Sequence, residues 1–161
     1  MTPRKELFIK TKEALATLPI LELVDLQRKQ FSIPKENYPS YFTAALIEIK
    51  AITWQTMVEQ KQEGKATVDV TFYCKDGWMD QHNGTADTEH GLIEVDVIDS
   101  IVEPLQGLRG DSFKHLDLSN EESVDDAFEM MSYKISFSTI IYRRINPRFS
   151  ARKISVQPTT L

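Results

Sequence analysis

Hydrophobic and polar positions alternate most clearly between Thr67 and Cys74, where Val68, Val70, Phe72 and Cys74 share one side and Thr67, Asp69, Thr71 and Tyr73 the other. A period of two is that of a half-buried strand. Upstream, Ala44 to Ile52 sets Ala45, Ile47 and Ile49 against Leu46, Glu48 and Lys50, which predicts a second strand with two-sided burial at Leu46 only. The connection from Thr53 to Lys65, with Gly64 in it, is longer than the roughly two to five residues usual for a hairpin loop. Both strands are therefore expected to run on into an exposed arm carrying Trp54, Met57 and Val58. The longest alternating run, Met130 to Tyr142, places Tyr133, Ile135, Phe137, Thr139 and Ile141 opposite Lys134, Ser136, Ser138 and Ile140, and predicts a strand inside the sheet.

Two stretches step by three and four instead. Thr2-Pro3 offers a capping hydroxyl followed by proline in the first helical turn. Leu7, Thr11, Ala14, Leu15 and Leu18 then form an inward face, Lys5, Glu6, Lys10, Lys12 and Glu13 lie mostly elsewhere, and Pro19 stops the helix. From Glu89 to Gln106 a stripe of Leu92, Val95, Ile98, Val102 and Leu105 predicts a second helix, with Pro104 bending or shortening its last turn and Gly107 as a cap. Leu21 to Leu26 reads as a first strand and Phe113 to Leu118 as a short one. Gln27 to Phe42, broken by Pro34 and Pro39, is a connecting loop, as are Asp76 to Thr88 and the acidic Ser119 to Asp126.

The predicted order is helix, strand, long loop, strand, strand, helix, strand, strand. Strands in runs with only two helices imply an α+β fold: a mostly antiparallel or mixed sheet with both helices packed on one face. The other face is then partly polar and open. A single domain over 1–142 and a basic C-terminal extension over 143–161 complete the expected organisation.

Composition narrows the function. At 161 residues and 41% apolar the chain suffices for one core, and its formal charge of −5 argues against general affinity for DNA or anionic membranes. No apolar run approaches a membrane span and no signal peptide opens the chain, so synthesis in the cytoplasm is expected. Cys74, the sole cysteine, falls on an apolar strand face and reads as a packed side chain. Charge is segregated: acidic side chains dominate Asp76 to Glu129, where Arg109 and Lys114 are the two basic residues, whereas Arg143, Arg144, Arg148, Arg152 and Lys153 make the end of the chain basic. Such patches are either solvated surface or the two sides of a contact between copies.

Candidate chemistry is sparse. His82 and His90 lie near Asp80 and Asp87, but their spacing matches no tight ligand motif, so no metal site is expected. His115 reads as a surface or edge residue. Gly107 and Gly110 follow a helix and do not form a phosphate loop, no nucleophile elbow surrounds any serine, and Glu121-Glu122 and Asp125-Asp126 sit among polar neighbours. No cofactor and no enzymatic activity is expected. Trp54, Trp78, Tyr38, Tyr41 and Phe42 fall at strand ends and in loops, where they either cap the sheet or, Trp54 above all, anchor a partner.

The succession ELFIKTKEAL, LELVDLQRKQF, YPSYFTAALIEI with ITW after it, EGKATVDVTFY, EPLQGLRGDSFKHL and YKISFSTIIY resembles small tail-completion proteins of long-tailed bacteriophages and prophages. In layout it is similar to the tail terminator group over nearly all of Lys5 to Tyr142. The resemblance implies a subunit that closes the head-proximal end of the tail tube as a ring, usually of six, with tail tube protein on one side and head connector or neck proteins on the other. It implies a place in the virion tail. The net negative charge for its part gives no expectation of specific nucleic-acid binding, and the acidic Asp76 to Glu129 region would suit a lumen through which DNA slides by denying it phosphate contacts. Under this reading Trp54, Met57, Val58, Arg143, Arg144, Arg148, Arg152 and Lys153 are the oligomer-interface candidates. A head-completion or neck adaptor, and a small cytoplasmic ligand-binding protein or enzyme using the Asp76 to His90 loop, are the alternatives.

Overall fold

The computed structural model describes residues 1–32, 43–58, 60–75, 81–84 and 86–146. Tyr38, Tyr41, Phe42, Trp78, Asp80, Arg148, Arg152 and Lys153, together with Pro34 and Pro39, lie outside the described residues. Helix α1 spans Pro3–Leu15, strand β1 Leu23–Leu26, β2 Thr43–Val58, β3 Lys61–Cys74, α2 Ile93–Leu105, β4 Asp117–Val124 and β5 Met131–Arg144. The strands form one mixed sheet in the order β1-β2-β3-β5-β4. β1 runs parallel to β2, and the other three pairings are antiparallel. The fold is α+β.

Helix α1 begins as its sequence predicts, with Thr2 as N-cap accepting from the Lys5 N–H and proline in the first turn. Leu7, Thr11 and Leu15 are buried, and the Thr11 hydroxyl donates back to the Leu7 carbonyl at 2.8 Å. In α2 the buried side is Glu94, Val97, Ile101 and Leu105, whereas Val95, expected inside, is 50% exposed. The helix carries apolar residues on two neighbouring stripes, and the sheet takes the one with regular four-residue steps, leaving Ile98 and Val102 at its margin. Pro104 falls in the last turn and the helix stops one residue later. Gly107 then takes a φ of +81°, left-handed backbone that glycine adopts freely, and its N–H donates to the Leu116 carbonyl, turning the chain toward β4.

Both helices cover the same face. Leu7 and Leu15 from α1 and Val97, Ile101 and Leu105 from α2 close over Ala45, Ile47, Val68, Val70, Phe72, Ile135, Phe137 and Ile141. Fully burying a side chain of this size is worth roughly 1.5–3 kcal/mol, so this layer dominates the folding energy. A bulge between Ile49 and Ala51 shifts the phase of β2, so that Ile52 and Trp54 continue the face begun by Ala45, Ile47 and Ile49.

Among the described residues, the opposite face is covered at one end only. Phe31, Ala44, Leu46 and Tyr73 form a second small cluster there, with Leu23, Ala127 and Met130 against it. Two-sided burial thus reaches Ala44 and Tyr73 as well as Leu46, a correction to the sequence reading. The Tyr73 hydroxyl accepts from Gln27 Nε2 and donates to an Asp126 carboxylate oxygen, and its burial raises its pKa.

The clearest departure is β4. Residues 119–126 were expected to be loop and Phe113 to Leu118 a strand, yet the strand is Asp117–Val124, exposed along nearly its whole length. An edge strand of this kind has no apolar alternation to betray it, because its main chain pairs with β5 while its side chains face water. Phe113 and Leu116 are buried in the connection leading to it, with Phe113 making an isolated bridge to Ile141.

Candidate functional site

β2 and β3 pair from Thr43 and Cys74 out to Val58 and Lys61, with register shifts between Ile49 and Ala51 and between Thr56 and Val58. β5 accompanies them all the way, so that Arg144 pairs with Lys61. The arm is accordingly three-stranded. Met57 and Val58 are each 58% exposed at its end, beside Ile145 at 43%.

Trp54 is not one of the exposed residues. It is half-buried, packs against the main core, and lies over Gly64 on β3, where an added Cβ would come within 2.8 Å of its ring. The Arg143 guanidinium covers the ring at 4.1 Å from its centroid while Arg143 Nε donates to Gln62 Oε1 at 2.7 Å. Two of the expected interface residues are thus joined to each other within one subunit, and a cation resting on an indole face stabilises the arm by about 0.5–1 kcal/mol at a partly exposed site.

Where the arm meets α1 an open groove of about 580 Å³ is lined by Thr2, Met57, Lys61, Asp111, Tyr142 and Arg144, among others. Its base is fixed by Glu6, which the sequence places with the solvated charges of α1 but which is buried. The carboxylate accepts from the backbone N–H of Asp111 at 2.5 Å and of Ser112 at 3.1 Å. Ser112 in turn offers its carbonyl to the Tyr142 N–H at 2.7 Å, so one chain of hydrogen bonds ties the first turn of α1 to β5. Burial works to raise the Glu6 pKa, but the hydrogen bonds from Ser112 and Asp111, helped by Lys10, outweigh it and leave the pKa lowered. Gly110 has no room for a side chain here, since a Cβ would press on Phe113 and lie 2.6 Å from Glu6 Oε1.

Lys61 and Arg144 are exposed, and among the described residues neither has an ion-pair partner. Lys61, Arg143 and Arg144 against Asp111 make the groove wall basic. The acidic residues lie elsewhere: Asp96, Asp99 and Glu103 are exposed on α2, and Glu121 and Glu122 on β4.

On the uncovered sheet face, Asp69 is buried beneath long neighbours, accepting from the Ser136 hydroxyl at 2.7 Å and lying 3.6 Å from Lys50 Nζ. Lys134 pairs with Glu122 across β5 and β4, which lowers the carboxyl pKa and raises that of the amine. His115 is half-exposed beside Asp117, and His82 Nδ1 lies 2.7 Å from the His90 carbonyl oxygen. Among the described residues no three His, Cys, Asp or Glu side chains come together as metal ligands do. Nothing in the sequence marked the groove, because its walls come from four places far apart in the chain and its fastening is a carboxylate bound to main chain.

No family model matches the chain, and no curated protein matches it by sequence. Among solved structures it is similar in fold to a chain of the virion of a native gene transfer agent particle, with a TM-score of 0.58 and 10% identity. The likeness covers 88% of this chain and 98% of that one. At this identity the likeness is one of fold.

Proposed function

We propose that the protein is a structural subunit of a phage-like particle, acting without catalytic chemistry in tail completion, as a tail terminator that forms a ring on the tail tube and joins it to the head. The observation that carries this reading is the likeness in fold to a chain of a gene transfer agent virion, which spans nearly the whole of that chain. The three-stranded arm and the separation of basic groove from acidic helix support it, since a ring built head to tail requires two different complementary patches on each subunit. The partners are further copies of itself, six in a closed ring by the resemblance, together with tail tube protein and neck proteins.

The test is light scattering of the purified chain over a wide concentration range, with electron micrographs of the large species, followed by addition of purified tail tubes. Closed rings, or capped tube ends, are the expected result. A monomer that leaves tube ends open overturns the terminator reading; if that monomer binds isolated head connectors, a neck adaptor replaces it.

A further inference from the structure

The groove beside the arm presents a combination that calls for one kind of occupant. Met57 gives it an apolar wall, Val58 and Ile145 extend that surface at the tip, and Lys61 and Arg144 stand exposed along it without ion-pair partners among the described residues. A complementary surface is acidic with an apolar margin. The outer side of α2 has this character: Val95 is 50% exposed, Asp99 and Glu103 follow it at four-residue steps on the same side of the helix, and Asp96 is exposed beside them. None of these residues lines the groove of its own chain, and the segment 147–161 has basic but no acidic side chains, so it repels a basic wall.

We infer that the groove of one copy receives the outer face of α2 from the next copy, with Lys61 and Arg144 facing Asp99 and Glu103 and with Met57 and Val58 against Val95. This contact rests on the ring reading and specifies its geometry: one subunit gives its arm, the other its helix, and each subunit does both. Such a heterologous contact repeats around a ring until it closes. The charge pairs set the register, and the apolar margin supplies the buried area.

The experiment uses two charge-reversed full-length chains, Lys61→Glu with Arg144→Glu, and Asp99→Lys with Glu103→Lys. All four side chains are exposed, so folding is checked by circular dichroism and expected to be retained. Each variant alone places like charges across the contact, and its half-assembly concentration should rise by about a hundredfold. Mixed in equal amounts, every arm again meets a helix of opposite charge and assembly should return. A single chain with all four changes should assemble as well. If the wild type assembles and neither the mixture nor the fourfold variant does, or if the single variants assemble as the wild type does, this contact is wrong while the ring stands. If the wild type neither assembles nor caps tubes, the ring reading falls and takes the contact with it.

Discussion

Glu6 shows how one carboxylate can fasten two distant parts of a chain. Its oxygens hold the N–H groups of Asp111 and Ser112, and charged acceptors of this kind are worth about 1.5–3 kcal/mol each way they are lost. Glu6→Gln should therefore cost roughly 1–2 kcal/mol in urea unfolding at pH 7, less than the full range because the amide oxygen still accepts. The sign of the pH effect follows from the lowered pKa. The carboxylate's contribution is complete above about pH 4.3, the ordinary glutamate value, and is withdrawn as pH falls through the lower folded value. The variant should show a flatter loss of stability on the acid side, and an unchanged acid limb would remove Glu6 from that role. At Gly64 the limit is space: a Cβ would lie 2.7 Å from Ile52 Cγ2 and 2.8 Å from Trp54. Gly64→Val is predicted to destabilise by about 1–3 kcal/mol and to shift tryptophan fluorescence as the ring is displaced. Neither residue was legible in the sequence. Glu6 sat in a helix turn where charges are usually solvated, and Gly64 sat in what reads as a connection.

At the scale of the element, alternation identified the strands that have a buried side and missed the one that has none. β2, β3 and β5 were found from Ala45, Ile47, Val68, Val70, Ile135 and Phe137, all of which are buried. The phase change at the β2 bulge concealed how far the pairing continues, since Trp54 has the opposite parity to Ile47 yet faces the same way. β4 escaped because Asn120, Glu121 and Glu122 look like a loop; they are instead the charged guard on an exposed edge. Replacing Glu121 and Glu122 together by threonine keeps strand propensity and removes that guard. The variant should aggregate at concentrations where the wild type is soluble, measured by turbidity and thioflavin binding, and equal solubility would show that the charges do not protect the edge. In α2 the helix was legible and its orientation was not, because Val95 and Val97 both fit a three- and four-residue spacing and only the sheet beneath decides between them.

For the whole molecule, the layer arrangement followed from the sequence because it depends on the count and order of elements, and five strands with two helices on one face is what the hydrophobic periods allow. The groove did not, because it depends on how the ends of α1, β2 and β5 come together. The uneven charge was legible as composition but not as surface: Arg143, grouped with the basic end of the chain, is held over Trp54, and Lys61, taken for part of a connection, is exposed beside Arg144. A contact of the proposed kind, joining the basic wall to acidic side chains, weakens as salt shortens the reach of charge to about 3 Å at 1 M. If the proposed contact forms, raising salt from about 0.05 to about 1 M should weaken it and raise the half-assembly concentration of the wild type by roughly tenfold or more. Salt-independent assembly would place the contact on apolar surface instead.

The pairing of β3 with β5 in continuous register from Cys74 to Lys61, with β2 alongside, also sets the mechanics of the arm. Hydrogen bonds in an antiparallel ladder lie across the strands, so a pull along the strand axis loads all of them together in shear, while a sideways pull at the tip loads them one after another. The arm is consequently strong when tugged lengthwise and weak when peeled, so the load it withstands depends on the direction of the pull as much as on its size.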